Sequence, residues 1–200
     1  WYGDKRRSFK GIEFLQSLKI DNLDLSFGGN IFKDDGYRLN ETTDRKRFNL
    51  NSQYKSEKIK GLSYGVNANF LFQSTSSVII WDGLDRAYIA LDNDVTTTSG
   101  DSYNIDPYIT YIKGNNRHSF RTRYLKIIND NESLDSLLNQ DNKSSSYYSD
   151  YRWQKNIEKY NLSFTTGSTN EIIFARAKLF QGKNYRRNHA LYSQIDKKIG

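Results

Sequence analysis

The chain has 200 residues with no Cys, no Met and one Pro, against fifteen Tyr, eleven Phe and three Trp; its formal net charge is +7 and its mean hydropathy -0.82. Without Cys there is no disulfide framework, thiolate metal site or thiol nucleophile, and no run of about 18 apolar residues offers a transmembrane helix. The 30 basic residues are scattered among 23 acidic ones, so the positive charge reads as solvated loops and wall rather than a nucleic-acid footprint, and no nucleic-acid partner is expected.

A period of two runs along almost the whole chain. Ile12, Phe14, Leu18 and Ile20 form the first apolar row, followed by Leu23, Leu25, Phe27 and Ile31 opposite Asp24, Ser26, Gly28 and Asn30. Phe48, Leu50 and Tyr54 then oppose Arg47, Asn49, Asn51 and Gln53. The plainest alternation is Leu62, Tyr64, Val66, Ala68, Phe70 and Phe72 against Ser63, Gly65, Asn67, Asn69 and Gln73. Tyr103, Ile105, Ile109 and Tyr111 continue it, then Phe120 and Tyr124 opposite Arg121 and Arg123. Tyr147, Tyr151 and Trp153 oppose Asp150, Arg152 and Gln154; Leu162 and Phe164 oppose Ser163 and Thr165; Leu191 and Ile195 lie in a last row of ambiguous facing. About nine strands result. Pro107 cannot donate to a ladder, and a bulge or local break is expected there.

The connections alternate in length. Asp21-Asn22, 56–61, 113–117 and 155–159 are short, whereas 34–44, 74–102, 129–144 and 168–187 are long. Transmembrane barrels have this asymmetry, with short turns on one rim and long loops on the other, and half of each strand faces a polar lumen, which keeps mean hydropathy low. Tyr54, Tyr64, Tyr103, Tyr111, Tyr124, Tyr147, Trp153 and Tyr160 fall near strand ends on the apolar side, where a ring with a polar tip suits a bilayer interface. The expected fold is all-β: an antiparallel transmembrane β-barrel segment of about nine strands with alternating short turns and long loops, part of a larger barrel. An odd strand count, no initiator Met and no apolar signal core near Trp1–Arg7 lead us to expect residues 1–200 to be one incomplete wall segment, since bacterial single-chain barrels carry even numbers.

Chemistry-bearing residues are sparse. Of the two histidines, His118 opens a strand at the short-turn rim, and His189 lies near the long-loop rim beside Arg186, Arg187 and Asn188 with no evident acid partner; neither forms a nucleophile–base pattern, so no enzyme activity is expected. Two isolated His make a zinc site improbable, and Asp92-Asn93-Asp94 lacks the Gly and closing Glu of a calcium loop; no metal or cofactor is expected. The 74–102 connection stands out by its apolar load, Val78-Ile79-Ile80-Trp81 and Tyr88-Ile89-Ala90-Leu91. Either it packs as its own hairpin over the lumen or against a lid protein, or Trp81 and Tyr88 stack on a sugar or aromatic ligand with Asp82 or Asp92 assisting.

Several segments resemble the barrel portion of TonB-dependent outer-membrane receptors of the Bacteroidetes type. The resemblance lies in Gly29-Asn30-Ile31-Phe32-Lys33-Asp34-Asp35-Gly36-Tyr37-Arg38, in Gly61 through Phe70, in Asn104 through Tyr111 and in Ala190 through Asp196. It implies a barrel of about 22 strands with a plugged lumen, set in the lipid of a bacterial outer membrane. It also implies uptake of a small-molecule or oligomeric nutrient (siderophore, cofactor, oligosaccharide or peptide), coupling to TonB through parts outside this chain, and a surface lipoprotein as a lid partner. Nothing here matches the plug domain or the TonB-binding segment. A small self-contained outer-membrane barrel, structural or hydrolytic, and a soluble β-sandwich binding module are the alternatives.

Overall fold

The computed structural model describes residues 6–78, 80–91, 94–133, 139–178 and 182–197. The period-two segments form β1 (Phe9–Ile20), β2 (Leu23–Asp34), β3 (Thr42–Lys55), β4 (Leu62–Ser77), β5 (Thr96–Lys113), β6 (Asn116–Glu132), β7 (Asn142–Ile157), β8 (Leu162–Ala177) and β9 (Gly182–Lys197). Each pairs antiparallel with the next, giving one nine-stranded sheet in sequence order. The sheet does not close on itself, and β1 is exposed along its whole length.

The strands run farther into the expected long loops than hydropathy suggests. Ser74–Ser77 pairs with Thr96–Ser99 as the continuing β4–β5 ladder, with a 2.9 Å hydroxyl contact between Ser76 and Thr97. Thr98 donates to Asn131 of β6 at 2.8 Å. Hydroxylated and β-branched residues support an extended backbone without being apolar, so these stretches look like loop in a hydropathy reading. The connections therefore contract to 35–41, 78–95, 133–141 and 178–181 on one rim, against 21–22, 56–61, 114–115 and 158–161 on the other. The length asymmetry holds for the first three pairs. It fails at the last, where 178–181 is no longer than 158–161.

Pro107 produces a break without a bulge. Against β4 the ladder passes through it, Val66 opposite Pro107. Against β6 the register runs Ile105 to Tyr124 and resumes unchanged at Tyr108 to Arg121, so Asp106 and Pro107 simply drop out of the ladder. A missing N–H removes hydrogen bonds but adds no residue, so the strand keeps its phase.

The register places all the alternating apolar residues on one face. One row reads Ile20, Leu23, Tyr54, Tyr64, Ile109, Phe120, Tyr151, Ser168 and Leu191. It begins at the last residue of β1 and reaches β9 six residues before its end at Lys197. The offset accumulates in one direction, which tilts the strands as a barrel wall requires. The last strand, ambiguous in the sequence, puts Tyr185, Leu191 and Ile195 on this face, opposite Phe174, Ser168 and Phe164. The face is not uniform. It is densest over β1–β5, and a polar row of Thr122, Ser149, Asn170 and His189 crosses β6–β9.

Nothing in the described residues packs on that face. Ala68, Val78 and Ala90 are the only buried apolar residues among them, while Phe14, Ile31, Phe48, Ile109 and Leu191 are exposed. Phe70, Phe72 and Leu25, which a sandwich would enclose, are half-buried.

On the opposite, polar face two tyrosines each lie across a glycine to reach the second strand over. Tyr108 of β5 crosses Gly65 of β4 and donates to the Ser52 carbonyl of β3 at 3.1 Å. Tyr192 of β9 crosses Gly167 of β8 and donates to Asp150 of β7 at 3.0 Å. A Cβ at Gly65 would collide with the Ser52 carbonyl and lie 2.8 Å from the Tyr108 hydroxyl. Gly65→Leu is therefore expected to destabilise the sheet by about 1–3 kcal/mol, the usual range for overpacking. Gly83→Ala, with nothing within 4 Å of its Cβ, should stay within about 0.5 kcal/mol of the parent. Thermal unfolding followed by circular dichroism checks both, and equal melting temperatures would refute the close-packing role of Gly65.

Candidate functional site

Two places on the molecule gather side chains of chemical interest. The first is the rim formed by 35–41 and 78–95. The second connection turns back on itself as a small hairpin: Trp81 bridges Ala90, Asp82 N–H donates to the Ile89 carbonyl at 3.0 Å, and Leu91 N–H donates to the Ile80 carbonyl at 3.0 Å. A 3₁₀ turn at Leu84–Arg86 closes it. Val78, which precedes the hairpin, and Ala90 within it are buried.

The hairpin leans on the neighbouring connection. Leu39 N–H donates to the Tyr88 carbonyl at 2.9 Å. The Arg38 guanidinium sits over Tyr37 at 5.0 Å and over Trp81 at 5.7 Å from the ring centroids, with Glu41 pairing to it at 3.2 Å. Arg7 donates to the carbonyls of Asp35 and Arg38. A cation between two rings is held by their quadrupoles, so Arg38 joins the two connections. Ile80, Leu84 and Leu91 remain exposed on the outside.

Of the residues singled out in the sequence, Trp81 and Asp82 are adjacent on one arm of this hairpin and Tyr88 lies on the other. The Asp82 carboxylate is occupied by Arg86 at 2.7 Å, and Trp81 is 49% exposed. Asp92 lies outside the described residues. Arg38, the cation that orders this rim, sits in another connection, and no spacing in the sequence links it to Trp81.

The second place is a hollow of about 650 Å³ on the polar face, lined by Asp106 and Tyr108 of β5, Arg117, Arg121 and Arg123 of β6, and Asp150 of β7 among others. A small recess beside it shares Arg117, Arg121 and Asp150 and adds Arg152. Strand parity creates this cluster. Residues 117, 121 and 123 share one face of β6, and the register sets Arg121 between Tyr108 on one side and Asp150 on the other.

The hydrogen bonds are unevenly distributed. Asp106 takes both arms of Arg123, at 2.9 and 3.2 Å, the forked geometry that suits a guanidinium and a carboxylate. Asp150 accepts from Tyr192 at 3.0 Å and stands 3.8 Å from Arg152, while Arg152 Nε donates to the Tyr192 hydroxyl at 3.2 Å. The histidines are elsewhere: His118 shares a 2.8 Å hydrogen bond with Tyr151 on the apolar face, and His189 lies on that face opposite Asn170. Arg121 and Arg123 are legible in the sequence as the polar half of the β6 alternation, whereas Arg117 falls in the expected 113–117 turn and the structure adds it to the strand. The convergence of these arginines with Asp150 of β7 and Tyr192 of β9 is not legible there.

The chain matches no protein-family model and no curated protein.

Arg38→Gln should loosen the rim by about 0.5–2 kcal/mol through loss of the two ring contacts. Limited proteolysis of the folded protein reads this as faster cutting between 78 and 95 than in the parent. Unchanged cutting would mean that the hairpin holds without Arg38.

Proposed function

We propose that this sheet is wall from a transmembrane β-barrel, and that the barrel is that of a TonB-dependent outer-membrane receptor importing a scarce nutrient. The observation that carries the membrane reading is a largely apolar face, densest over β1–β5, on which nothing among the described residues packs. Burying an aliphatic or aromatic side chain is worth about 1.5–3 kcal/mol, so a row of such residues left in water would forfeit the main driving force of folding. Hydrocarbon supplies the missing layer.

Aromatic pairs mark two levels on that face. Toward the short-turn rim lie Tyr54 against Tyr64 (5.4 Å), Tyr111 against His118 (6.5 Å) and Trp153 against Phe164 (5.8 Å). Toward the other rim lie Phe72 against Tyr103 (5.6 Å) and a chain of Tyr124, Tyr147, Phe174 and Tyr185 spaced 4.9, 6.5 and 5.2 Å. Aliphatic and small residues, including Val66, Ala68, Ile105 and Ile109, fill the space between. Along β4 the two levels, Tyr64 and Phe72, are about 27 Å apart at 3.4 Å per residue. That length, tilted, suits an apolar band of about 25 Å between aromatic girdles.

The narrower assignment rests on the resemblance of the four segments named above to TonB-dependent receptors. On that reading the long-loop rim, with Trp81, Asp82, Tyr88 and Asp92, meets the ligand or a lid lipoprotein at the cell surface. The polar face looks into the lumen, and energy coupling belongs to parts of the receptor outside these residues.

Mass spectrometry of the polypeptide in its native membrane fraction tests the proposal. A parent several times the 23.4 kDa of this chain, in the outer membrane, supports it; recovery in a soluble fraction refutes it. The facing has its own test. Phe70→Arg should cost about 1–3 kcal/mol more than Asn69→Arg, since Phe70 lies between the midplane and the aromatic level at Phe72, measured by unfolding in lipid vesicles. Equal tolerance would place Phe70 away from lipid.

A further inference from the structure

The polar-face hollow carries more positive charge than its own carboxylates use. Four guanidinium groups, those of Arg117, Arg121, Arg123 and Arg152, line the hollow and its adjoining recess, and the two carboxylates there are Asp106 and Asp150. Asp106 is committed to Arg123 in a forked pair. Asp150 is the direct cross-strand neighbour of Arg121, and an ion pair between them would be the ordinary expectation. It does not form: Asp150 instead accepts from the Tyr192 hydroxyl of β9 and stands beside Arg152 of its own strand. Tyr108, which flanks Arg121 on β5, leans the opposite way to reach Ser52 across Gly65. The two tyrosines thus draw their neighbours apart and leave Arg121 between them. Arg117 and Arg121 have neither ion pair nor side-chain hydrogen bond among the described residues.

We infer that this hollow binds a small molecule carrying at least two carboxylate or phosphate groups, with Arg117 and Arg121 as the principal donors. Guanidinium presents a planar fork that matches either oxyanion in two hydrogen bonds. Arg117 and Arg121 are separated by four residues, about 13 Å along the strand at 3.3 Å per residue, and each side chain is long enough to turn inward over the hollow. One anionic group at each guanidinium therefore defines a ligand with two charged ends. A volume of about 650 Å³ lies within the usual 300–1,000 Å³ of small-molecule sites, which favours a compact ligand over a polypeptide segment. Arg117 follows the Gly114-Asn115 turn by two residues, so the site sits near the short-turn rim, away from the Trp81 hairpin. Arg123 and Arg152 keep their internal partners and hold the floor in shape.

The inference needs only the sheet and its register, so it can be tested whether the protein is recovered from membrane or from solution. The experiment is isothermal titration of the whole purified protein with pyrophosphate at constant ionic strength, beside a titration with an acidic peptide of matched charge. One saturable pyrophosphate site is expected, weakened about tenfold or more in Arg117→Gln/Arg121→Gln, as loss of charge-assisted hydrogen bonds implies. Arg121→Lys keeps the charge without the fork and should lie between, which covers the case in which the double variant fails to fold. Arg186→Gln, on the same face but outside the hollow and bonded to Asn188, should bind as the parent does. Absence of a saturable site would overturn the inference. So would equal weakening by Arg186→Gln, parent-like binding by Arg121→Lys, or binding of the peptide without pyrophosphate.

Discussion

Everything in this molecule hangs on one continuous antiparallel ladder. Eight successive strand pairings carry the backbone hydrogen bonds from β1 to β9, and no second layer shares the load among the described residues. A sheet of this kind leaves a row of unpaired backbone groups at each edge, and β1 is open to solvent along its length. In hydrocarbon such edges cannot persist, because each unsatisfied N–H or carbonyl costs several kcal/mol. The proposed barrel therefore places further strands against both β1 and β9. The same ladder explains the tolerance of Pro107: one strand pairing loses two residues from its register while the other continues through it.

Because the ladder fixes the register, it also fixes what meets what on each face. The apolar face gathers aromatic pairs at two levels with aliphatic residues between. The polar face gathers amides, hydroxyls and ion pairs, as at Asn69 and Asn49 or Arg123 and Asp106. A slip of one residue would exchange these two populations, so the alternation is itself a strong constraint on pairing. The tyrosine-over-glycine contacts add a second one. Tyr108 and Tyr192 each tie three strands together and lie flat only because Gly65 and Gly167 leave room.

The two candidate sites follow from different parts of this arrangement. The rim site is a loop property: Arg38 stacks on Trp81 and Tyr37, and a short hairpin is bridged at Trp81 and Ala90. The polar-face hollow is a sheet property, built from the adjacent strands β3 to β7 at fixed register. The polar row of Thr122, Ser149, Asn170 and His189 across the apolar face sets β6–β9 apart from β1–β5. Thr and Ser are small enough to cost little there, whereas Asn170 keeps a buried Oδ1 without a hydrogen-bond partner.

The sequence by itself determined the class of fold, the nearly complete set of strands and the face on which Leu25, Phe70, Ile109 or Trp153 would lie. Period-two alternation is a local property, and it survives without knowledge of any partner strand. Strand ends at Ser74–Ser77 and Thr96–Ser99 escaped it, since hydroxylated residues there are held by cross-strand pairing rather than by hydrophobicity. The last of the long connections shrank because Ile172 and Phe174 carry the alternation of β8 onward and pair with Arg187 and Tyr185 of β9. Only the tertiary structure decided that Arg38 would stack on Trp81, that Asp82 would be taken by Arg86, and that Asp150 would turn to Tyr192 and leave Arg121 open. Those outcomes depend on register across strands distant in sequence, on the direction in which a tyrosine leans, and on the room a glycine leaves. Such choices are settled by geometry between chain segments, and no single segment contains the information to make them.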